Sequence, residues 1–476
     1  MLKGLEISEV SLKGALLDNA TFRIDPEYFK KEYTHFSPCG LNVKSLSYFV
    51  ESGYRVVYGN TEVLNPKFAK PGGAPFFLQA VDIQTPFIDS DNLKYVCEGD
   101  WDKYPQGRIK RGELLIEVKG RLEKVAVVPK DFPEHTLVSG TLYKMTINDK
   151  ISKYVILAYL ISKFGVSFKN RYKTNLLVSY ISKDDLYRIP VPEFSKRLQD
   201  RVDAIFSEIF ANQEAAKVAY YAAEQILLSE LGFDGWTPKE ESVSVKNCSD
   251  FMSAGRFDAE YFQPKYDEIV AKLKTYLGGT IKATSVLVTG LVNESEDIPE
   301  RYVELADIGV SGEIAGCTDA MFGELPSRAR QRMATGQVIA SSIEGSLDRC
   351  ALVTPEYDKA LCSTGFHRFS SQDINPETML LLFKSWPIQQ LMKRGCSGTI
   401  LCGILPTALE HVDLPVVNPQ VQKVLAAKVR ESFALRAESK RLLDLAKHAV
   451  EVAIEQGEDK AIKSLGADYQ YDIEEV

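Results

Sequence analysis

The chain has 476 residues, of which 45% are hydrophobic and 26% are charged, so it is long enough for more than one domain with its own core. Its formal net charge of −8 argues against a protein that binds nucleic acid through overall charge alone. No apolar run is long enough to span a bilayer and no apolar signal segment opens the sequence, so we expect a cytoplasmic protein without a membrane partner.

The first domain is predicted to cover residues 1–192 and to be α+β, with a twisted sheet of short strands. Short apolar runs alternate there with turn residues. Residues 114–117 and 124–128 predict a hairpin that turns at Gly120, and residues 154–163 predict a helix that packs on the sheet. The triplet Glu117-Val118-Lys119 fits an edge strand with solvent-facing alternation.

Two long amphipathic helices are predicted, one in the spacer at residues 193–235 and one in the last segment, 418–476, which ends in an acidic tail. In the first, Leu198, Val202 and Ile205 begin an apolar stripe at helical spacing across residues 194–231. The second is expected to end near Ile454. Because the intervening domain must bring the chain back, we expect the helices to pair as an antiparallel coiled coil. The alternative is that each packs on its own domain.

The second domain, residues 236–417, repeats the first. RFDAEYF at residues 256–262 echoes RIDPEYF at residues 23–29, and both are interpreted as helix starts capped by aspartate. Residues 336–342 and 349–353 predict the matching hairpin, and residues 376–384 the matching helix. The chain therefore predicts an internal pseudo-two-fold repeat.

Basic residues cluster at corresponding places in the two domains. Lysine and arginine neutralise phosphates, and arginine also reads base edges through paired hydrogen bonds. We therefore predict a surface for double-stranded DNA in each domain. The candidate DNA-binding residues are Arg108, Lys110, Lys119, Arg121, Lys169, Arg171, Lys173, Arg328, Arg330, Arg332, Arg349, Arg368, Lys393 and Arg394.

Signatures of catalysis are missing from the sequence. It contains neither a Gly-x-x-x-x-Gly-Lys-Ser/Thr phosphate loop nor a Gly-x-Ser-x-Gly elbow, so we expect no active site and no cofactor in this chain. One alternative is a metal-dependent nuclease that uses Asp102, Glu117 and Lys119. We expect no metal, although a zinc site could be drawn from Cys350, Cys362, His367, Cys396, Cys402 and His411, whose spacing fits no common finger.

The order of these features resembles the specificity (S) subunit of type I restriction-modification systems over nearly the whole chain. Residues 112–128 and 336–353 are similar to that family's strand, glycine turn and return strand, and residues 186–192 and 411–416 are similar to its proline-bounded closing strand. Long spacer helices follow in both copies. The family's glutamine at the start of each spacer helix has Gln199 as its candidate in the first copy and Gln420 or Gln422 in the second.

The resemblance implies two target-recognition domains in a subunit without chemistry of its own, which reads a bipartite, asymmetric DNA target. It implies partners as well: two methyltransferase subunits that use S-adenosylmethionine to methylate adenine, and restriction/translocase subunits that use ATP and Mg. Those partners would bind exposed sides of the long helices, around Arg201, Asp203, Glu208 and residues 428–431. The residues alone leave open a two-unit protein-binding scaffold, which the acidity favours.

Overall fold

The computed structural model describes residues 9–17, 23–64, 72–174, 177–239, 241, 243–274, 276, 278–398 and 402–470. The chain divides into two compact units. Unit 1 contains the residues up to Phe210 and those from Ser439 onward, and unit 2 runs from Ala211 to Glu438. Each unit therefore includes part of both long helices, whereas the sequence predicts those helices as separate segments.

Unit 1 is built on two four-stranded sheets. One has the order β2-β11-β8-β9 and is antiparallel throughout; the other has the order β10-β4-β7-β3, with β10 parallel to β4. Strand β1 pairs with β12, and β5 pairs with β6. The strands are β1 (Val43–Ser45), β2 (Val50–Tyr54), β3 (Val63–Leu64), β4 (Phe76–Leu78), β5 (Ile83–Gln84), β6 (Phe87–Ile88), β7 (Lys94–Val96), β8 (Leu114–Glu117), β9 (Val125–Val127), β10 (Thr136–Val138), β11 (Leu142–Ile147) and β12 (Pro190–Pro192).

The helices of unit 1 are short until the chain reaches its first long helix. They are α1 (Leu12–Leu17), α2 (Lys31–Thr34), α3 (Asp100–Lys103), α4 (Lys153–Ile161), α5 (Lys163–Tyr172), α6 (Lys183–Tyr187) and the long α7 (Lys196–Glu230). The helix predicted at residues 154–163 is confirmed as α4, which ends two residues earlier and is followed at once by α5. Ser162 has extended backbone, so it ends α4, and its hydroxyl accepts a hydrogen bond from the Gly165 N–H as the cap of α5.

Strand β8 is central and is buried on both faces. Leu114 and Ile116 pack into the core that contains α4 and the long helices, whereas Leu115 packs into a separate core with Leu78 and Val138. A strand covered on both faces is apolar without alternation, which is what residues 114–116 show. Glu117 at its end is buried as well, with 7% of its surface exposed. The interpretation of this triplet as an edge strand is therefore wrong.

Unit 2 contains a second set of short strands. They are β13 (Gly278–Thr280), β14 (Val286–Val288), β15 (Pro299–Val303), β16 (Thr318–Met321), β17 (Ala329–Arg332), β18 (Val338–Ser341), β19 (Cys350–Leu352), β20 (Leu361–Ser363), β21 (Phe366–Ser370), β22 (Cys396–Ser397), β23 (Gly403–Ile404) and β24 (Asp413–Pro415). Its helices, after its part of α7, are α8 (Cys248–Ala254), α9 (Pro264–Leu273), α10 (Ile281–Thr284), α11 (Pro376–Lys384), α12 (Trp386–Gly395) and α13 (Pro406–Leu409).

The principal sheet of unit 2 has the order β14-β21-β18-β19 and is antiparallel, like β2-β11-β8-β9 in unit 1. A second sheet, β16-β15-β20-β17, again contains one parallel pair, β15 with β20. Strand β18 also divides its side chains between two cores, with Val338 and Ala340 in one and Ile339 in the other. The predicted hairpins in both units and the helix at 376–384 are confirmed.

The last helices are α14 (Pro419–Gln456) and α15 (Glu458–Gln470). In unit 1, residues of α7 and α14 share one core, and the Ser439 hydroxyl donates to the Ile209 carbonyl at 3.2 Å. In unit 2, the Ser432 hydroxyl donates to the Ala216 carbonyl at 2.8 Å. Helix α15 buries Ala461 in the core of unit 1, so residues 458–470 of the expected acidic tail are helical, while residues 471–476 lie outside the described part of the chain.

Candidate nucleic-acid interface

A pair of arginines holds Tyr28 against the end of α5. Arg23 pairs with Asp25 at 2.8 Å, and its Nη1 donates to the carbonyl oxygens of Arg171 and Lys173 at 3.0 and 2.9 Å. Arg171 in turn donates Nε–H to the Tyr28 carbonyl at 3.1 Å. The hydrogen bond from Arg23 lowers the pKa of Asp25. Asp25 stands at the N-cap position of a 3₁₀ turn at Pro26–Phe29, so the predicted helix start is confirmed, but its side chain makes no capping hydrogen bond to that turn.

Unit 2 builds the same contacts from the repeated motif. Arg256 pairs with Asp258 at 2.7 Å and donates to the Cys396 carbonyl at 2.8 Å, while Arg394 Nε donates to the Tyr261 carbonyl at 3.1 Å. Here the Asp258 carboxylate also accepts the Tyr261 N–H at 3.1 Å, so this copy does cap its turn. The end of α12 is thereby fixed as the end of α5 is.

Beyond α5, the chain runs beside the β8–β9 hairpin of unit 1. Gly120 N–H donates to the Ser179 carbonyl and Ile181 N–H to the Val118 carbonyl, both at 3.0 Å. The turn is supported from inside by Glu117, whose Oε2 accepts the N–H groups of Glu123 and Lys124 at 3.0 and 3.4 Å. The carboxylate proposed as a metal ligand in the nuclease alternative is therefore engaged by its own hairpin.

Lys169 supports the same turn from α5. Its Nζ donates to the Leu122 carbonyl at 2.8 Å, and only 2% of the residue is exposed. Burial lowers the pKa of Lys169 to about 8, against the opposing effect of Glu117 and Glu123. A lysine in this position holds the hairpin and does not reach a ligand, so we leave it out of the interface.

Four basic residues belong to the chain segments that meet at Tyr180, which are the end of β2, the hairpin turn and the segment after α5. We call Arg55, Lys119, Arg121 and Lys173 the basic surface of unit 1. Lys119 bridges Tyr180 through the backbone, the Arg55 guanidinium lies 5.0 Å from the Tyr180 ring centroid, and Thr174 N–H donates to the Tyr180 carbonyl at 2.9 Å. Lys119 and Arg121 are exposed. Within the described residues, no hydrogen bond or ion pair engages either side chain.

The remaining predicted residues of unit 1 are distributed differently. Arg108 lies 4.4 Å from the Trp101 ring, donates to the Trp101 carbonyl at 2.9 Å and pairs with Asp102 at 3.1 Å. Lys110 is exposed. Arg171 is buried against the rings of Tyr28 and two other tyrosines, so it stabilises the fold and is left out of the interface.

In unit 2, the three predicted arginines near β17 are all held by neighbouring side chains. Arg328 pairs with Glu304 at 2.8 Å, and Arg332 pairs with Glu300 and Glu294 at 2.6 and 3.1 Å. Arg330 covers the Phe322 ring at 4.6 Å. Ion pairing offsets the positive charges of Arg328 and Arg332, so these arginines attract an anion less strongly than the sequence suggests.

The other predicted residues of unit 2 are also engaged. Arg368 is 4% exposed and donates to the Gly290 carbonyl at 2.9 Å, so it belongs to the interior and is left out of the interface. Arg349 donates to the Ile308 carbonyl at 2.7 Å. Lys393 pairs with Glu260 at 3.6 Å, and Arg394 pairs with Asp267 at 3.1 Å while it holds Tyr261.

Arg55 and Tyr180 are missing from the sequence prediction. Arg55 stands alone between two apolar residues and does not belong to a basic cluster, so the clustering criterion passes over it. Its Nε donates to the Gly140 carbonyl at 2.7 Å and its Nη1 to the Tyr180 hydroxyl at 3.3 Å. Only the pairing of distant strands brings it to the hairpin.

Across the described ranges, no three histidine, cysteine, aspartate or glutamate side chains gather where they could hold a metal ion. Burial raises the pKa of the Cys350, Cys362 and Cys396 thiols to about 12, so in the protein without metal they are protonated. His367 Nε2 donates to the Ile404 carbonyl, 2.9 Å away. As for membranes, each described helix is too short or too polar to cross one.

Comparison with known proteins yields matches among solved structures. No protein-family model matches the chain, and neither does any curated protein. The crystal structure of a type I restriction-modification S subunit from M. genitalium is 13% identical, with a TM-score of 0.36, over 89% of this chain and 96% of that chain. The HsdS subunit from Thermoanaerobacter tengcongensis is 12% identical, with a TM-score of 0.29, over 88% of this chain and 98% of that one.

A third similar chain comes from a structure of the type I restriction-modification system that addresses its complex assembly and conformational transition. It is 13% identical, with a TM-score of 0.30, over 88% of this chain and 99% of that chain.

Proposed function

We propose that this chain is the DNA sequence-recognition subunit of a type I restriction-modification system. Each unit forms a target-recognition domain and reads one half of a bipartite, asymmetric target, and α7 and α14, which both units share, pair as an antiparallel coiled coil. In this proposal the units form an internal pseudo-two-fold repeat. The subunit has no active site of its own and acts in the cytoplasm.

The observation that carries the proposal is a shared framework with different exposed side chains. Both units have a clasp, Arg23 with Arg171 in unit 1 and Arg256 with Arg394 in unit 2, and both have a hairpin bordered by the segment that leaves the clasped helix. In unit 2, Glu344 N–H donates to the Cys402 carbonyl at 3.0 Å, as Gly120 does to Ser179 in unit 1. Two frameworks of one kind with different surfaces suit a ligand whose two halves differ.

The helix contacts support the coiled coil. The serines of α14 at positions 439 and 432 reach carbonyls of α7 at positions 209 and 216, so the residue number falls along one helix as it rises along the other. The sides of these helices around Arg201, Asp203, Glu208 and residues 428–431 are proposed to bind two methyltransferase subunits and the restriction/translocase subunits. Those partners would supply the chemistry with S-adenosylmethionine, ATP and Mg, and this chain would bind none of them.

The test is modified-base sequencing of genomic DNA from the source strain, with the gene intact and with the gene deleted. A split motif of methylated adenines that disappears on deletion is the expected result, and it gives both half-sites at once. Replacing residues 8–191 by the first recognition domain of another family member should then change one half-site only. A methylation pattern that deletion leaves unchanged, in a strain that expresses the partner subunits, would contradict the proposal and favour the protein-binding scaffold.

A further inference from the structure

The basic surface of unit 1 has a counterpart in unit 2 whose charge is different. Strand register identifies the equivalent positions. Leu115 in β8 pairs with Lys144, and Ile339 at the same place in β18 pairs with Arg368. On the neighbouring strand, Lys144 pairs with Tyr54 and Arg368 pairs with Val288. Thr289 therefore takes the place of Arg55.

The other three positions follow from the hairpin and the clasp. Ile343 bridges Gly403 as Lys119 bridges Tyr180, so Ile343 takes the place of Lys119. Arg121 and Gly345 lie equally far from the glycines that precede β8 and β18, which are Gly112 and Gly336, so Gly345 takes the place of Arg121. Arg256 binds the Cys396 carbonyl as Arg23 binds that of Lys173, so Cys396 takes the place of Lys173. All four cations of unit 1 are replaced by uncharged residues.

The charges nearby accentuate the difference. Besides the buried Glu117 at the end of β8, the hairpin turn of unit 1 contains one acid, Glu123, which is exposed. The turn of unit 2 contains Glu344 and Asp348, and its one cation, Arg349, is bound to the Ile308 carbonyl. A phosphate backbone would therefore be attracted to the first surface and not to the second.

We propose that the basic surface of unit 1 is the phosphate-binding anchor of this chain, and that the equivalent surface of unit 2 contributes no phosphate contact. This inference rests on the proposed function, since it divides DNA binding unequally between the two units. Each phosphate contact releases counterions, so the logarithm of affinity falls with the logarithm of salt concentration by roughly 0.9 per contact. Most of the salt dependence of this chain should then come from unit 1.

The experiment uses the full chain and a fluorescent duplex of random sequence, with binding followed by anisotropy across a series of salt concentrations. In the double variant Lys119→Gln, Arg121→Gln, the slope should fall by about two, because two contacts are lost. The matched control is Lys94→Gln with Lys130→Gln, two exposed lysines of unit 1 outside the surface, and its slope should equal that of the wild type. All four substituted residues are exposed, so thermal melts should coincide with wild type.

A third variant tests the difference between the units. Ile343→Lys places a cation at the position equivalent to Lys119, so the slope should steepen by about one. If it does not, the two surfaces do not face DNA in the same way, which overturns the inference that charge at equivalent positions sets the difference between the units. A double variant that keeps the wild-type slope, or a control that loses as much, also overturns the anchor. Failure of the wild-type chain to bind with any salt dependence would instead contradict the proposed function itself.

Discussion

Arg171 donates its Nε–H to the Tyr28 carbonyl at 3.1 Å while its guanidinium lies 4.7 Å from the centroid of the same residue's ring. Arg394 repeats both contacts with Tyr261, at 3.1 Å and 4.8 Å. One side chain thus joins a helix end to a short motif more than a hundred residues earlier in the chain. A planar guanidinium is suited to this position because it can donate and stack at once.

Arg171→Lys should therefore destabilise unit 1 although it conserves charge. Lysine lacks the planar guanidinium, so the stacking on the Tyr28 ring is lost and the hydrogen bond to the Tyr28 carbonyl weakens. The free energy of unfolding should fall by about 2 kcal/mol. For a unit of this size that is a fall of roughly 4–8 °C in melting temperature, measurable by scanning calorimetry. The control is Arg188→Lys, whose ion pair to Asp185 is 3.9 Å long and partly exposed, and which should change little. Equal melting temperatures for both variants would contradict the role of Arg171.

The structure distinguishes the two glutamines that the sequence leaves as candidates at the start of α14. Gln422 is buried; its Oε1 accepts the Asn375 N–H at 2.8 Å, and its Nε2 donates to the Val417 and Asp373 carbonyls at 2.8 and 2.9 Å. Gln199 makes the equivalent bonds at the start of α7, to Ser152 and Phe194. Gln420 is exposed.

Gln422→Leu should accordingly destabilise unit 2 by about 2–4 kcal/mol, since it leaves buried backbone groups without partners. Gln420→Leu, two residues away on the same helix, should stay within about 0.5 kcal/mol of the wild type. Urea denaturation of the two variants side by side measures the difference. Similar urea midpoints for the two variants would show that the Gln422 amide does not stabilise the packing of α14 against the start of α11.

Local sequence pattern was sufficient for the hairpins and for most of the helices, because their apolar spacing and turn residues lie within a few positions of one another. The β8–β9 hairpin and α11 are examples. The repeated RIDPEYF motif was also visible in the sequence, but its contacts were not. Arg23 binds carbonyls about 150 residues away, and the spacing of a motif cannot reveal which distant backbone meets it.

Charge pattern was least informative about burial. Lys169 and Arg171 stand among other basic residues, Arg368 follows a histidine, and a charged residue is exposed in most proteins. Each is instead buried with its donors on backbone carbonyls, which compensates the loss of water. Arg55 is a lone cation in the sequence, and strand pairing places it in the basic surface, half-buried and with its Nε on the Gly140 carbonyl. Only the tertiary fold separates structural cations from exposed ones.

Glu117 provides a test in which charge and architecture predict opposite results. Removing an acid beside cations should strengthen DNA binding if charge alone matters. Because the Glu117 carboxylate holds the turn amides of Glu123 and Lys124, Glu117→Ala should instead weaken duplex binding by roughly fivefold, about 1 kcal/mol. Glu117→Gln keeps an oxygen acceptor and loses the charge, so it should bind at least as well as wild type. Anisotropy titrations at one salt concentration distinguish the two expectations. Tighter binding by the Glu117→Ala variant would refute the role of Glu117 in holding the hairpin turn.

The lowered pKa of Lys169 should make the free energy of unfolding rise with pH. The folded chain holds this lysine with a pKa of about 8, lowered from 10.5 by burial, so between those values the unfolded chain binds more protons. Stability should therefore be lowest below pH 8 and should increase as pH rises toward 10.5. Between pH 7.5 and 9.5 the contribution is about 2 kcal/mol, at about 1.4 kcal/mol per pH unit above the folded pKa.

The variant Lys169→Met removes this titrating group and fills similar volume. Its stability should rise less than that of the wild type between pH 7.5 and 9.5, by about 2 kcal/mol in urea denaturation. The loss of the bond to the Leu122 carbonyl affects both pH values alike, so it cancels in the comparison. Lys173→Met, at a partly exposed position four residues further on, is the control and should keep the wild-type difference. The same rise in all three proteins would mean that Lys169 keeps its charge throughout this pH range in the folded chain.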